Sequence, residues 1–182
     1  MRIISGSFKG KRIVAPNNLP VRPTTDFAKE ALFNVLNNHH YFDEISVLDL
    51  FAGIGSISLE FASRGCQRIY AVDKDAGCVK FISETAEKMN ISDRLQVVKN
   101  EVFQFLDRNT LGGFDVIFAD PFYEMEEKEF HQLIDSIREN GWLNPEGELI
   151  IEHSKFISFE KHPNLTETRR YGNVHFSFFS LG

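Results

Sequence analysis

The residues best suited to chemistry are Asp120-Pro121-Phe122-Tyr123, which follow the apolar run Phe114–Ala119. An acid at the end of a buried strand, then a proline and two aromatics, is a poor choice for a plain turn. It suits an exocyclic amine on an aromatic base. Such an amine is a weak nucleophile because its lone pair is delocalised into the ring. The Asp120 carboxylate and the Pro121 carbonyl can accept its two N–H bonds, which favours a pyramidal nitrogen aimed at a methyl donor. Phe122 or Tyr123 can stack on a base that has left its helix, and Pro121 stiffens the backbone.

A second group precedes it. Asp49-Leu50-Phe51-Ala52-Gly53-Ile54-Gly55-Ser56 is a short apolar strand running into a two-glycine turn. Bare glycines let the backbone turn and a ligand approach closely. Twenty residues beyond Gly53 stands Asp73, which can accept the hydroxyl protons of a ribose. The pattern is a poor nicotinamide fingerprint, because Ser58 occupies the third glycine position and Asp49 puts an acid beside a loop that would have to cradle a pyrophosphate. An acid there fits a cationic ligand better. S-adenosylmethionine carries a sulfonium, an ammonium, a carboxylate and a ribose, and no phosphate. Further on, in Asn100-Glu101-Val102, a polar side chain can reach an adenine amino group while Val102 packs on its face. Asn100 or Glu101 can equally cap the helix that follows.

These residues need a scaffold that brings strand ends together. The periodicity predicts strands at Val47–Phe51, Arg68–Val72, Leu95–Lys99, Phe114–Ala119 and Glu148–Glu152. Helices alternate with them near Ser56–Arg64, Ala76–Met89, Val102–Asn109 and Glu126–Asn140. This alternation implies an α/β, doubly wound, mostly parallel sheet whose ligands lie beyond the carboxyl ends of its strands. Thr166–Arg170 and Val174–Leu181 flank Tyr171-Gly172-Asn173 and read as a terminal antiparallel hairpin. At the other end, Arg2–Ser5 and Lys11–Ala15 read as a small β-hairpin. Thr24, Thr25 or Asp26 can cap a helix with Phe27, Ala31, Leu32, Val35 and Leu36 on its apolar face, fraying near Asn37–His40. Residues 1–24 are thus expected as a basic hairpin and connector, an extension of the domain formed by residues 25–182.

The chain has 182 residues, 42% of them hydrophobic, and a formal net charge of −6. That suits one globular domain. It has no signal-peptide pattern and no apolar run long enough to span a bilayer, so a cytoplasmic protein without a membrane role is expected. Cys66 and Cys78 read as reduced core thiols, and neither they nor the six histidines have metal-site spacing. The charge is unevenly placed. Arg2, Lys9, Lys11, Arg12 and Arg22 give the first 25 residues +5, so the remaining 157 carry the difference, −11. This points to a basic arm meeting phosphates beside an acidic body.

The Asp49–Gly55 stretch with Asp120-Pro121-Phe122-Tyr123 resembles the class I S-adenosylmethionine-dependent methyltransferases bearing an Asp-Pro-Pro-Tyr type motif. Arg2-Ile3-Ile4-Ser5-Gly6, Phe8-Lys9-Gly10, Arg22-Pro23-Thr24-Thr25-Asp26 and Lys29-Glu30-Ala31-Leu32-Phe33-Asn34 narrow the likeness. They are similar to the bacterial small-subunit (16S) ribosomal RNA guanine-N2 methyltransferases, over essentially the whole chain. The resemblance implies a seven-stranded class I methyltransferase sheet and S-adenosyl-L-methionine as cofactor. It implies methylation of the N2 amine of a guanine in small-subunit ribosomal RNA, within a ribosomal subunit or assembly intermediate. Asp49, Phe51, Ala52, Gly53 and Gly55 would line the methionine side, and Asp73 with Lys74 the ribose. Glu101 and Val102 would lie beside the adenine. Asp120, Pro121, Phe122 and Tyr123 would form the catalytic edge; of the RNA-binding residues, Arg22 and Thr24 would sit near that pocket, while Lys9, Lys11 and Arg12 would face the RNA. The second proline of the motif is Phe122 here, so catalysis should survive while the shape of the base pocket changes.

Other readings compete. Adenine-N6 methylation of RNA or DNA poses the same chemical problem. Methylation of a protein glutamine amide usually uses a motif beginning with Asn, against Asp120. A non-catalytic RNA chaperone would hold the cofactor only structurally. Direct transfer without a metal or covalent intermediate is the expectation, and nothing in the sequence demands more than a monomer.

Overall fold

The computed structural model describes residues 1–20 and 24–181. Seven strands form one sheet in the order β3-β2-β1-β4-β5-β7-β6. They are β1 (Ser46–Leu50), β2 (Arg68–Asp73), β3 (Leu95–Lys99), β4 (Phe114–Ala119), β5 (Leu143–Ser154), β6 (Leu165–Tyr171) and β7 (Val174–Phe179). The first five run parallel, and β7 pairs antiparallel with both β5 and β6. The strand order reverses between β1 and β4, the place where an open parallel sheet leaves a crevice for ligands.

Five helices cover the sheet: α1 (Asp26–His39), α2 (Ser56–Ser63), α3 (Ala76–Lys88), α4 (Val102–Leu106) and α5 (Glu127–Glu139). One core layer joins Leu32, Phe33 and Leu36 of α1, Phe61 of α2 and Ile82 of α3 to Val47, Val116, Phe118 and Ile150. The other packs Leu106 of α4 and Leu133, Ile134 and Ile137 of α5 against Leu48, Leu50, Ile117 and Trp142. Strand β1 is buried along its whole length, as expected of a central parallel strand clothed on both faces.

Several boundaries depart from the sequence reading. Strand β5 begins at Leu143 rather than Glu148. Phe114 pairs with Leu143 and Val116 with Glu148, so an irregular stretch around Pro145 and Gly147 lengthens the strand. Helix α4 ends at Leu106 instead of Asn109, whose side chain accepts from the amides of Leu111 and Gly112 and so supports a turn. Phe27 lies outside the apolar stripe of α1. It is 70% exposed and meets Tyr171 edge-on, while Ala28 and Lys29 face inward.

The N-terminal hairpin is looser than two strands. Arg2 and Arg12 form a single antiparallel bridge, supported by Ile3 N–H to the Lys11 carbonyl and Ile13 N–H to the Met1 carbonyl. Its turn reaches α2 instead of extending. Gly6 has φ +84°, and a Cβ there would fall 1.9 Å from the Ser63 carbonyl oxygen, so only glycine fits. Buried charge secures the arm. Glu60 accepts from the amides of Ile4 (2.9 Å) and Ser5 (3.0 Å) and pairs with Arg64 (2.9 Å) and Lys29 (3.6 Å). Lys29 Nζ also donates to the Arg2 carbonyl (2.7 Å) and to Ser56 Oγ (3.2 Å). Burial lowers the Lys29 ammonium, and the Glu60 charge opposes that shift.

Candidate active site

A cavity of about 860 Å³ opens beyond the carboxyl ends of β1, β2, β4 and β5. Its size suits a small-molecule site. The β1 end builds the first wall. Asp49 is 1% exposed, and Ser58 donates both its amide (3.0 Å) and its hydroxyl (2.5 Å) to Oδ2. Oδ1 carries no hydrogen bond among the described residues. Burial pushes the Asp49 carboxyl up to about 7, against the pull of the two Ser58 bonds.

Strand β1 stops one residue earlier than expected because Phe51 turns into the left-handed region, φ 59°. That conformation is uncommon for a bulky residue and marks a loop held by its surroundings. Gly55 follows at φ 74°, and a Cβ there would press to 2.9 Å from Ile82 of α3. The glycine therefore permits both the turn and close helix packing. Asp73 ties this loop to β2: its Oδ2 accepts from Gly53 N–H and its Oδ1 from Asp75 N–H, both at 2.8 Å.

Around the cavity the structure brings together Phe51, Ala52 and Gly53 with Asp73 and Lys74, and beyond them Glu101 and Val102. Gly55 shapes the loop without lining the cavity. Of the two roles open to Glu101, the structure displays the cap. Glu101 is the N-cap of α4 and accepts from Gln104 N–H at 3.0 Å, while its position still faces the cavity.

The Asp120-Pro121-Phe122-Tyr123 tetrapeptide stands on the neighbouring side. Asp120 N–H donates to the Leu50 carbonyl at 3.3 Å, continuing β4 beside β1. Pro121 is buried, whereas Phe122 is 45% and Tyr123 79% exposed. Phe122 meets Phe51 edge-on at 6.3 Å, and Lys74 Nζ lies 5.4 Å from its ring centre. Phe122, where the motif has its second proline, thus bridges the glycine loop and the β2 end, while the Tyr123 side chain is exposed.

Two residues at this site escaped sequence reasoning. Ser58 counts in the sequence as a missing glycine, yet it anchors Asp49. Glu152 lies near the end of β5, where the strand-end rule applied to the other strands points equally well. The pairing of Ala119 with Ile151 sets Asp120 and Glu152 side by side, on the same sheet face as Phe118 and Ile150. Thr24 Oγ1 donates to Glu152 Oε2 at 2.9 Å across 128 residues of sequence. Burial pushes Glu152 up to about 7, with Thr24 opposing. Asp120 is driven well above the usual carboxylate range, first by burial and then by the charges of Glu152 and Asp49.

The residues expected to serve RNA divide. Thr24 lines the cavity, and Arg22 lies outside the described residues. Lys9, Lys11 and Arg12 are exposed and do not line it. The turn that carries Lys9 is bound to the carboxyl end of α2 through Ser7 and Phe8 on Ser63, roughly 12 Å of helix away from the glycine loop.

Asp49, Asp73, Asp120 and Glu152 line the cavity, and the raised carboxyls among them hold protons that a cation displaces, so the cavity favours a cationic ligand with hydroxyls and amines to donate over a phosphate. The donor set therefore fits S-adenosylmethionine. The sequence model described as conserved hypothetical protein 95 matches residues 1–180. The chain belongs to this family. It is 34% identical to YlbH of Bacillus subtilis, provisionally named an rRNA methyltransferase, covering 93% of this chain and 92% of that protein. It is 31% identical to ribosomal RNA small subunit methyltransferase D of Haemophilus influenzae, covering 85% and 79%. Among solved structures, yhhF of Escherichia coli, provisionally described as a methyltransferase, superposes with a TM-score of 0.83 at 26% identity, covering 98% of this chain and 96% of that one. The seven-stranded arrangement is the class I methyltransferase fold.

Proposed function

We propose that this chain transfers a methyl group from S-adenosylmethionine to the exocyclic N2 amine of a guanine in small-subunit ribosomal RNA. The observation that carries the reading is the shared cavity: the Asp49–Asp73 cradle and the Asp120-Pro121 edge open into one space. The relatives' names support ribosomal RNA as substrate class.

S-adenosylmethionine supplies an electrophilic methyl on a sulfonium. Asp49, steadied by Ser58, would hold its ammonium and Asp73 its ribose hydroxyls, with Glu101 and Val102 beside the adenine. The target base must leave its helix, because pairing would otherwise engage the amine. Tyr123 stacks on it at the rim, and Phe122 closes the space between base and cofactor loop. The Asp120 carboxylate and the Pro121 carbonyl accept the two N–H bonds and direct the nitrogen lone pair at the methyl. As the N–C bond forms and the methyl–sulfur bond breaks, the nitrogen becomes acidic. Its proton passes to Asp120 or water. No earlier deprotonation of a neutral amine is needed.

The basic residues Lys9, Lys11 and Arg12 would meet RNA phosphates some distance from the reacting base. That separation favours a ribosomal particle, which offers phosphates and base in a fixed arrangement, as substrate over naked RNA. Labelled methyl transfer to small subunits lacking the modification, compared with their protein-free RNA, tests this. Subunits should be the better acceptor; equal or better labelling of free RNA contradicts the particle reading, and no labelling of either contradicts the activity.

A further inference from the structure

The mechanism above leaves one half-buried acid without a task. Glu152 lies beside Asp120 on the adjacent strand, faces the same cavity and has Oε2 bound by Thr24. Its Oε1 has no hydrogen bond among the described residues. We propose that Glu152 selects the base: its carboxylate accepts the N1–H that guanine presents next to its N2 amine. This rests on the guanine-N2 reading above and gives that reading a physical basis in the chain.

Donor patterns distinguish the bases. In the ionised form that a bound cationic cofactor favours, Asp120 and Glu152 are two neighbouring acceptors and require two neighbouring donors. Guanine offers N2–H and N1–H side by side. Adenine and cytosine also carry an exocyclic amine, but the ring nitrogen next to it is a lone-pair acceptor, which a carboxylate repels. A site built to accept an N–H strongly disfavours an analogue lacking it, because a buried acceptor is left unpaired. Thr24 fixes the direction of the Glu152 carboxyl by occupying the oxygen that does not meet the base. The Phe122 substitution leaves this arrangement untouched, since Phe122 packs on Phe51 at the opposite side of the tetrapeptide.

The test uses a guanine analogue. 2-Aminopurine keeps the N2 amine but has an unprotonated N1. Small subunits are reconstituted with RNA carrying guanine or 2-aminopurine at the methylated position, and kcat/KM is measured for each with wild type, Glu152→Gln and Thr24→Val. Calorimetry with S-adenosylmethionine checks that each variant retains its folded cofactor site. Wild type should strongly prefer guanine. Glu152→Gln, whose amide can donate to N1, should narrow that preference roughly tenfold or more, and Thr24→Val should narrow it less. Wild-type preference retained by Glu152→Gln overturns the assignment. If that variant does not fold, wild-type preference retained by Thr24→Val overturns it. A wild-type enzyme that forms N2-methylguanine yet accepts 2-aminopurine equally well overturns the role of Glu152 alone. One that forms N6-methyladenine and no N2-methylguanine overturns the functional reading and, with it, this inference.

Discussion

Ser58 holds Asp49 by two bonds to a single carboxylate oxygen, one from its amide and one from its hydroxyl. The first turn of α2 thereby fixes an acid on β1 that lines the cavity. Ser58→Ala removes the hydroxyl and keeps the amide. A hydrogen bond to a charged group contributes about 1.5–3 kcal/mol. The variant should bind S-adenosylmethionine on the order of tenfold or more weakly by calorimetry, with a fold still intact by circular dichroism. Unchanged affinity would separate Asp49 from the cofactor.

Protons should accompany that binding. Asp49 has its carboxyl raised to about 7 by burial, so at neutral pH it is about half protonated; an ammonium group arriving beside it releases roughly half a proton. Calorimetry in buffers of different ionisation enthalpy reads this directly. Heats independent of buffer would contradict it.

The same groups, with Asp120, lower the stability of the ligand-free protein as pH rises, against the opposite pull of His153, His162 and His175, which burial lowers. Asp49 and Glu152 are both raised to about 7 in the fold, above ordinary unfolded carboxyls near ~4. Their stabilising contribution is present below the unfolded value and is lost as pH rises through 7. Melting temperature should therefore fall between pH 5.5 and 8 without cofactor, and saturating S-adenosylmethionine should flatten the fall. A melting temperature that rises over this range would place other groups in control.

Glu60 tests how the arm is held. Glu60→Ala leaves Lys29 buried without its carboxylate and frees the amides of Ile4 and Ser5. Breaking one side of a buried pair costs about 3–5 kcal/mol. Chemical denaturation should show a loss of that order, and proteolysis should reach residues 1–12 first. The exposed residues behave differently. Replacing Lys9, Lys11 and Arg12 together with Ala should leave stability unchanged and lower the salt dependence of RNA binding by roughly two to three in the log–log slope.

What could be read ahead of the structure was whatever is local in the chain. Strand–helix alternation, the Gly53–Gly55 turn and the acids at Asp49, Asp73 and Asp120 fall within short windows, where periodicity and the strand-end rule operate. Pairings across the chain were hidden. Thr24 with Glu152 and Glu60 with Lys29 depend on how α1 lies on the sheet. The exposure of Phe27 has the same origin, because α1 turns Lys29 inward to meet Glu60. Ser58 was visible but misread: with a glycine expected, its hydroxyl registered as a loss.

The most direct measurement is nucleoside mass spectrometry of small-subunit RNA after incubation with S-adenosylmethionine and either wild-type protein or Asp120→Ala. Wild type should form N2-methylguanine, and the variant should work at least roughly a hundredfold more slowly while keeping its cofactor affinity. N6-methyladenine as product, or Asp120→Ala working at near wild-type rate, would contradict it.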